Sequence, residues 1–160
     1  MTYRILVIII VSIFLVFGCK SEEKKSPEKP PIFQQKIKTD LEKSQEKLLD
    51  LHNTDRSLRG VKNLVLDKNL CEYAQKHAEK MAEKDSLYHS KMKDLMKVND
   101  PKIVGENIAW GQKDENSVFE GWMNSILHRW NILGEKYKKA GFGLAKDKNG
   151  DNYWCSVFSD

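Results

Sequence analysis

Three side chains in this sequence, His89, Glu106 and His128, are of types that combine in metal and acid–base chemistry. Glu106 follows Gly105, whose backbone can turn tightly, and it precedes an apolar stretch that should anchor it to a packed element. Neutral imidazoles and a carboxylate are ligands that Zn²⁺ and related divalent ions prefer. If the fold brings the three side chains together, they would form an open metal site with room for water.

The same three residues also fit a purely structural arrangement. A buried carboxylate after a glycine often accepts backbone N–H bonds and fixes a turn. A hydrogen-bonded cluster of His89, Glu106 and His128 that ties loops to a sheet therefore stays open beside the metal site. A hydrolase is a further alternative, with Glu106 as the general base.

Nucleophilic catalysis finds little support in the sequence. Ser90 and Ser125 lie near histidines, but there is no Gly-x-Ser-x-Gly elbow and no third residue that would orient a base. Cys71 and Cys155 both lie within apolar patterns. They either form one disulfide or are two small buried hydrophobic residues.

Helical and strand patterns predict the elements that position these residues. Thr39 to Glu42 matches a capping box and predicts a first helix over 40–58. Asp67 can cap a second helix, whose apolar stripe includes His77 as a core histidine. A second capping box at Ser117 to Glu120 predicts a third helix that runs through Ile126.

The C-terminal region predicts a β-hairpin over 140–146 and 152–158. Asn149-Gly150 between the two strands is a strong signal for a tight type I′ turn, although neighbouring residues leave the loop length open. Large apolar residues alternate onto both faces of the second strand, so both faces should be covered. The expected fold is a small sheet with helices on each side.

Several other polar and aromatic residues are interpreted as structural. His52, Asn53 and Arg56 on the first helix should fix that helix against the sheet, with Arg56 bound to a carboxylate or to carbonyls. The four tryptophans should form core or cleft wall, and Trp122 in particular should be buried. They are Trp110, Trp122, Trp130 and Trp154.

The N-terminal residues are typical of a bacterial lipoprotein signal. One positive charge, Arg4, precedes an apolar run that ends at Gly18-Cys19. We expect residues 1–18 to be a signal peptide and Cys19 to carry acyl chains such as palmitate, with an ordinary signal peptide or an uncleaved anchor as alternatives. Residues 19–38, rich in Lys, Glu and Pro, should form a flexible tether. Residues 39–160 then form one domain.

The formal net charge is +4, with Lys and Glu interspersed along the chain. No basic run is interleaved with aromatic residues, so we expect no nucleic-acid partner.

From about Thr39 to Phe158 the sequence resembles the CAP superfamily, also called SCP or PR-1-like proteins, and in particular its compact bacterial branch. The resemblance rests on seven blocks in the order of that family. They are 48–56, 70–81, 88–90, 105–108, 122–133, 141–143 and 153–158.

The resemblance implies an α/β fold, a three-layer α-β-α sandwich, with the residues matching His89, Glu106 and His128 facing one central cleft. Many eukaryotic members carry a second glutamate where this chain has Ser125, a serine that bacterial members commonly share. One carboxylate ligand and one potential general base are therefore absent.

Together these features predict an extracytoplasmic CAP-domain lipoprotein of the cell envelope, anchored to a bacterial membrane, with display at the cell surface as one option. We expect a monomeric, non-enzymatic binding module. Its ligand would be a divalent cation such as Zn²⁺, a lipid or sterol-like molecule, or a host or envelope protein. The alternatives are a metal-assisted hydrolase or protease that uses the same cleft, and a purely structural envelope lipoprotein.

Overall fold

The computed structural model describes residues 32–160, with side chains from Asp40 onward. The predicted signal peptide, Cys19 and the tether as far as residue 31 lie outside these residues. Five helices and four strands follow one another within the described range. They are α1 (Ile32–Leu58), β1 (Val65–Leu66), α2 (Lys68–Glu83), α3 (Met92–Leu95), β2 (Val104–Trp110), α4 (Glu115–Asn124), α5 (Ile126–Leu133), β3 (Lys139–Lys146) and β4 (Asn152–Ser159).

The four strands form one sheet in the order β1-β3-β4-β2. β4 pairs antiparallel with both β3 and β2, whereas β1 pairs parallel with β3. α2 packs on one face of the sheet, and α1, α4 and α5 lie on the other. The predicted three-layer α-β-α sandwich is therefore confirmed. Within the described residues, no helix combines the length and apolar character needed to cross a bilayer.

The alternation predicted for β4 decides which core each residue enters. Tyr153, Cys155 and Val157 pack toward α2. Trp154 and Phe158 enter the opposite core, where Trp122 of α4 is also buried. Both faces of β4 are covered, as the sequence predicts, because every residue of this strand is buried.

Two glycines of β3 let α2 lie very close to the sheet. A Cβ atom on Gly141 would overlap the backbone of Leu70 and Cys71, and one on Gly143 would overlap the backbone of Ala74. Helix and strand therefore meet backbone to backbone, which fixes the height of α2 above the sheet.

At both edges of the sheet, side chains bond backbone groups that no neighbouring strand pairs with. Beyond the two residues of β1, Gln45 Nε2 donates to Phe142 O at 2.8 Å. Gln75 both donates to Leu144 O and accepts from Leu144 N, each at 2.9 Å. At the other edge, Trp122 Nε1 donates to Ile108 O at 3.2 Å.

The residues predicted to be structural on α1 are confirmed. Arg56 is fully buried and donates to four backbone carbonyls, those of Lys62, Ile132, Gly134 and Tyr137. Asn53 donates to Leu64 O and accepts from Leu64 N. His52 bonds Leu48 O at 2.7 Å and is packed among four aromatic rings.

Two predicted helix starts are wrong. α1 begins at Ile32 rather than at Asp40, because residues 32–39 contain no Gly or Pro and can continue the helix. α4 is capped by Asp114, whose side chain accepts from Ser117 N at 2.8 Å. Ser117 is thus the third helical residue instead of the cap. The same helix ends at Asn124, and α5 begins after Ser125.

The predicted type I′ turn is also wrong. The β3–β4 connection is a five-residue loop, residues 147–151, in which Gly150 alone has a positive φ. Asp147 Oδ1 accepts from the backbone N–H groups of Asn149 and Asp151. This local bonding favours the wider loop over the two-residue turn. Cys71 and Cys155, finally, are free and buried.

Candidate functional site

Glu106 lies on β2, opposite Val157 of β4, and therefore faces the layer that contains α2. Its side chain is only 4% exposed. Gly105 does not turn the chain here, contrary to the prediction, since it lies within the strand. Its role is spatial, because a Cβ atom at this position would clash with Tyr137 and Asn131.

The Glu106 carboxylate joins the segment after α2 to the sheet. Its Oε1 atom accepts from Ser90 N at 2.9 Å and lies 2.8 Å from His89 Nδ1. For Nδ1 to donate to a carboxylate, the neutral His89 ring must carry its proton there. The lone pair of Nε2 then stays available, on a side chain that is 61% exposed.

His77 is the neighbour of Glu106 that sequence reasoning missed. It is buried, as predicted, and its Nε2 donates to Tyr88 O at 2.8 Å. The same nitrogen lies 3.9 Å from Glu106 Oε2. Its position on the buried stripe of α2 identified a core histidine, but only the sheet order shows that β2 passes beside it.

Cys155 Sγ also lies 3.9 Å from Glu106 Oε2. Burial raises the pKa of the Cys155 thiol well above its ordinary value, and the charge of Glu106 adds to the effect. The thiol is therefore protonated at neutral pH, which makes it a poor nucleophile and a poor metal ligand.

His128 belongs to the opposite layer, on α5. Its carbonyl accepts from Asn107 Nδ2 at 3.0 Å, and Asn131 Nδ2 contacts both Asn107 Oδ1 and Glu106 O. These amides tie α5 to β2. Burial lowers the pKa of His128, and the charge of His89 lowers it further, so the His128 ring is neutral at physiological pH.

The site therefore straddles an edge strand. Glu106 points toward the α2 layer and Asn107 toward the α5 layer, as their partners Val157 and Ser156 on β4 alternate. His89 and Glu106 are in direct contact, and His128 is joined to β2 from the other layer through its carbonyl. In the described part of the chain, no three His, Cys, Asp or Glu side chains form a group able to hold a metal ion. Glu106 is engaged by His89 and Ser90, so it does not fit the role of a direct ligand.

Ser125, where many eukaryotic CAP proteins have a second glutamate, lies at the start of α5. Its side chain makes no capping hydrogen bond to the helix. The tryptophans predicted as core or cleft wall divide into two groups. Trp122 and Trp154 are buried, whereas Trp110 and Trp130 are largely exposed.

Comparison with known proteins places these residues in a family context. The model of the CAP, or cysteine-rich secretory protein, family matches residues 49–158. The uncharacterized protein YkwD of Bacillus subtilis is 32% identical over 121 residues, which cover 71% of this chain and 46% of YkwD. The chain thus spans less than half the length of that relative.

Solved structures agree on the fold. An outer surface protein from Borrelia burgdorferi matches with a TM-score of 0.65 and 19% identity, over 72% of this chain and 90% of that one. An extracellular SCP-domain protein from Bacillus anthracis gives a TM-score of 0.64 at 24% identity, over 82% of this chain and 45% of that one.

Proposed function

Since this chain belongs to the CAP family of cysteine-rich secretory proteins, we propose that it is an extracytoplasmic, non-enzymatic binding module. Its cleft would take a divalent cation such as Zn²⁺ between the imidazoles of His89 and His128. Lipid on Cys19 would hold it at the cell envelope. The two structural relatives are an outer surface protein and an extracellular protein, which supports a location outside the cytoplasm.

The observation that carries the metal proposal is the contact between Glu106 and His89 Nδ1 at 2.8 Å. A carboxylate that binds one ring nitrogen fixes the tautomer and orients the other nitrogen toward a metal. Glu106 then acts as a positioning residue, not as a ligand. The two imidazoles supply nitrogen donors, and water would complete the coordination.

The same contacts argue against hydrolysis as the activity. A general base must be free to take a proton from water or from substrate. Glu106 is almost fully buried, and one of its oxygens already accepts from Ser90 N and His89. Ser125 offers a hydroxyl where a second carboxylate would be needed.

The test is a calorimetric titration of Zn²⁺ into the mature protein. We expect binding in the wild type, severe loss in His89→Ala and in His128→Ala, and no change in Glu83→Gln, a surface carboxylate on α2 outside the cleft. Because imidazoles bind metal only when neutral, affinity should fall as the pH drops below about 6.5.

Ser125→Glu is the complementary variant, since it adds a carboxylate beside the cleft and should strengthen binding. Absence of Zn²⁺ binding to the wild type at a pH of about 7.5, where imidazoles are neutral, would refute the metal proposal. Hydrolysis by the Zn²⁺-loaded wild type that Glu106→Gln abolishes would instead favour the metal-assisted hydrolase.

A further inference from the structure

An apolar patch lies beside the cleft, on α5 and α3. We define the docking patch as Met92, Ile126, Leu127 and Trp130, whose exposed fractions are 60%, 59%, 69% and 68%. On α5 the last three are helical neighbours, at spacings of three and four residues. Met92 and Trp130 line the same groove, of about 540 Å³, so Trp130 connects Met92 with the two exposed apolar residues of α5.

Soluble monomers rarely expose several large apolar side chains together without a partner for them. From this patch we infer that the domain docks on the anionic surface of the bilayer to which it is tethered, with Trp130 and Leu127 inserted among the lipids. The inference rests on the lipid anchor in the proposed function. It is independent of the metal site.

The charges around the patch favour an anionic partner. Lys102 and Lys136 line the groove together with Glu135. Lys93 follows Met92 on α3, and Arg129 precedes Trp130 on α5. Two further acids lie nearby: Asp94 is paired with Lys97 at 3.3 Å, and Asp160 accepts from the backbone N–H groups of Lys102 and Ile103. The cations still outnumber the unpaired acids at the groove. Apolar residues including tryptophan, with cations at their margin, are typical of surfaces that lie roughly 5–10 Å deep in the headgroup region.

The length of chain before the domain allows this contact. Twelve residues, Lys20 to Pro31, separate Cys19 from α1. Whatever their conformation, they can span up to about 40 Å. The 27 residues of α1 are also about 40 Å long. Arg56 near the end of α1 bonds Ile132 O of α5, so α5 lies near the far end of that helix. The tether is thus long enough for the patch to reach the same bilayer.

Because the chain is tethered, a patch with only weak affinity for lipid is sufficient for docking. Once the chain is anchored, contact between patch and bilayer is an intramolecular step at high effective concentration. A second copy of the chain could also cover an apolar patch. However, each copy has basic residues around its patch, so a symmetric contact between two patches would bring like charges together.

The test uses the mature, acylated protein in phosphatidylglycerol-rich vesicles, with brominated lipid as a quencher of tryptophan fluorescence. We expect quenching in the wild type, its loss in Trp130→Phe, and its retention in the matched control Trp110→Phe. Leu127→Glu should reduce quenching, whereas Leu58→Glu, at an exposed leucine outside the patch, should not.

Flotation of the vesicles separates the possible failures. Quenching that is absent, or unaffected by Trp130→Phe and Leu127→Glu, in protein that still floats overturns the docking inference alone. Cross-linking of Trp130 regions between two copies would overturn it in favour of a dimer. Protein that does not float contradicts the lipid anchor and, with it, docking by a tethered domain. The Zn²⁺ titration remains a separate test of the cleft.

Discussion

The two faces of the sheet bury polar side chains in different ways. On the face covered by α1 and α4, Arg56 donates only to backbone carbonyls, and His52 bonds only a carbonyl of its own helix. On the α2 face, Glu106 bonds one backbone N–H and one partly exposed imidazole, that of His89.

This difference separates a structural group from a group that can serve a ligand. Arg56 itself is buried and donates only to backbone carbonyls, so none of its partners is a side chain that could bind a ligand. Glu106, in contrast, bonds His89, and the His89 side chain is exposed to solvent. Three variants test this contrast, in order of decreasing expected effect on stability.

Arg56→Met should have the largest effect. Four carbonyls lose their donor, and since hydrogen bonds to a charged group contribute about 1.5–3 kcal/mol each, the free energy of unfolding should fall by at least about 4 kcal/mol. Urea denaturation measures the change. Arg59→Ala is the matched control, because Arg59 is exposed and pairs only with Asp55, and its stability should stay close to that of the wild type. Equal effects of the two variants would contradict the structural role of Arg56.

The lowered pKa of His52 predicts how the free energy of unfolding depends on pH. Burial lowers the pKa of His52 from 6.5 to about 4 in the folded protein. Between these values the unfolded chain binds a proton that the folded one does not, so stability present above pH 6.5 is lost as the pH falls toward 4. The loss attributable to this ring is about 3 kcal/mol, at about 1.36 kcal/mol per pKa unit.

The measurement is the free energy of unfolding between about pH 7.5 and about pH 4.5, a range that brackets most of this titration, for the wild type and for His52→Gln. The variant should show a flatter dependence, whatever its absolute stability. Parallel curves would mean that His52 is protonated in the fold, against its position among four aromatic rings.

Glu106→Gln should have the smallest effect on stability and a large effect on ligand binding. Hydrogen bonds to a charged group contribute about 1.5–3 kcal/mol, and the amide oxygen can still accept from Ser90 N. Zn²⁺ affinity should fall about 10–100-fold, as when other residues that orient metal ligands are changed. Denaturation and calorimetry on the same variant compare the two losses. A loss of stability without any loss of affinity would place Glu106 with Arg56 among the structural residues.

Local patterns in the sequence predicted much of this fold. The Asp67 cap, the stripe of α2 that contains His77, and the alternation in β4 each depend on residues close together in the chain, and all are present. The predicted start of α4 was wrong because two caps compete there. Asp114 and Ser117 are both good capping residues, and only the observed backbone shows which one begins the helix.

The candidate site was harder to predict, because its contacts join distant segments. The proximity of His77 to Glu106 depends on α2 packing on the sheet in which β2 lies beside β4. The bond of Asn107 to His128 O depends on α5 packing against β2. The spacing of residues along the sequence indicates neither of these contacts. The roles of Gln45 and Gln75 were missed for the same reason, since each bonds a strand far away in sequence.

Those two glutamines affect whether neighbouring copies of the molecule can pair through their sheet edges. An uncovered strand edge offers its N–H and C=O groups to any neighbouring chain, and proteins that leave such an edge open tend to add strands from one copy to the next. Gln45 and Gln75 occupy the edge of β3 where β1 ends, while Trp122 and Asn131 bond two carbonyls at the edge of β2. Copies that collide side by side, for instance if the proposed lipid anchor confines them to one membrane plane, would then not merge their sheets into an aggregate.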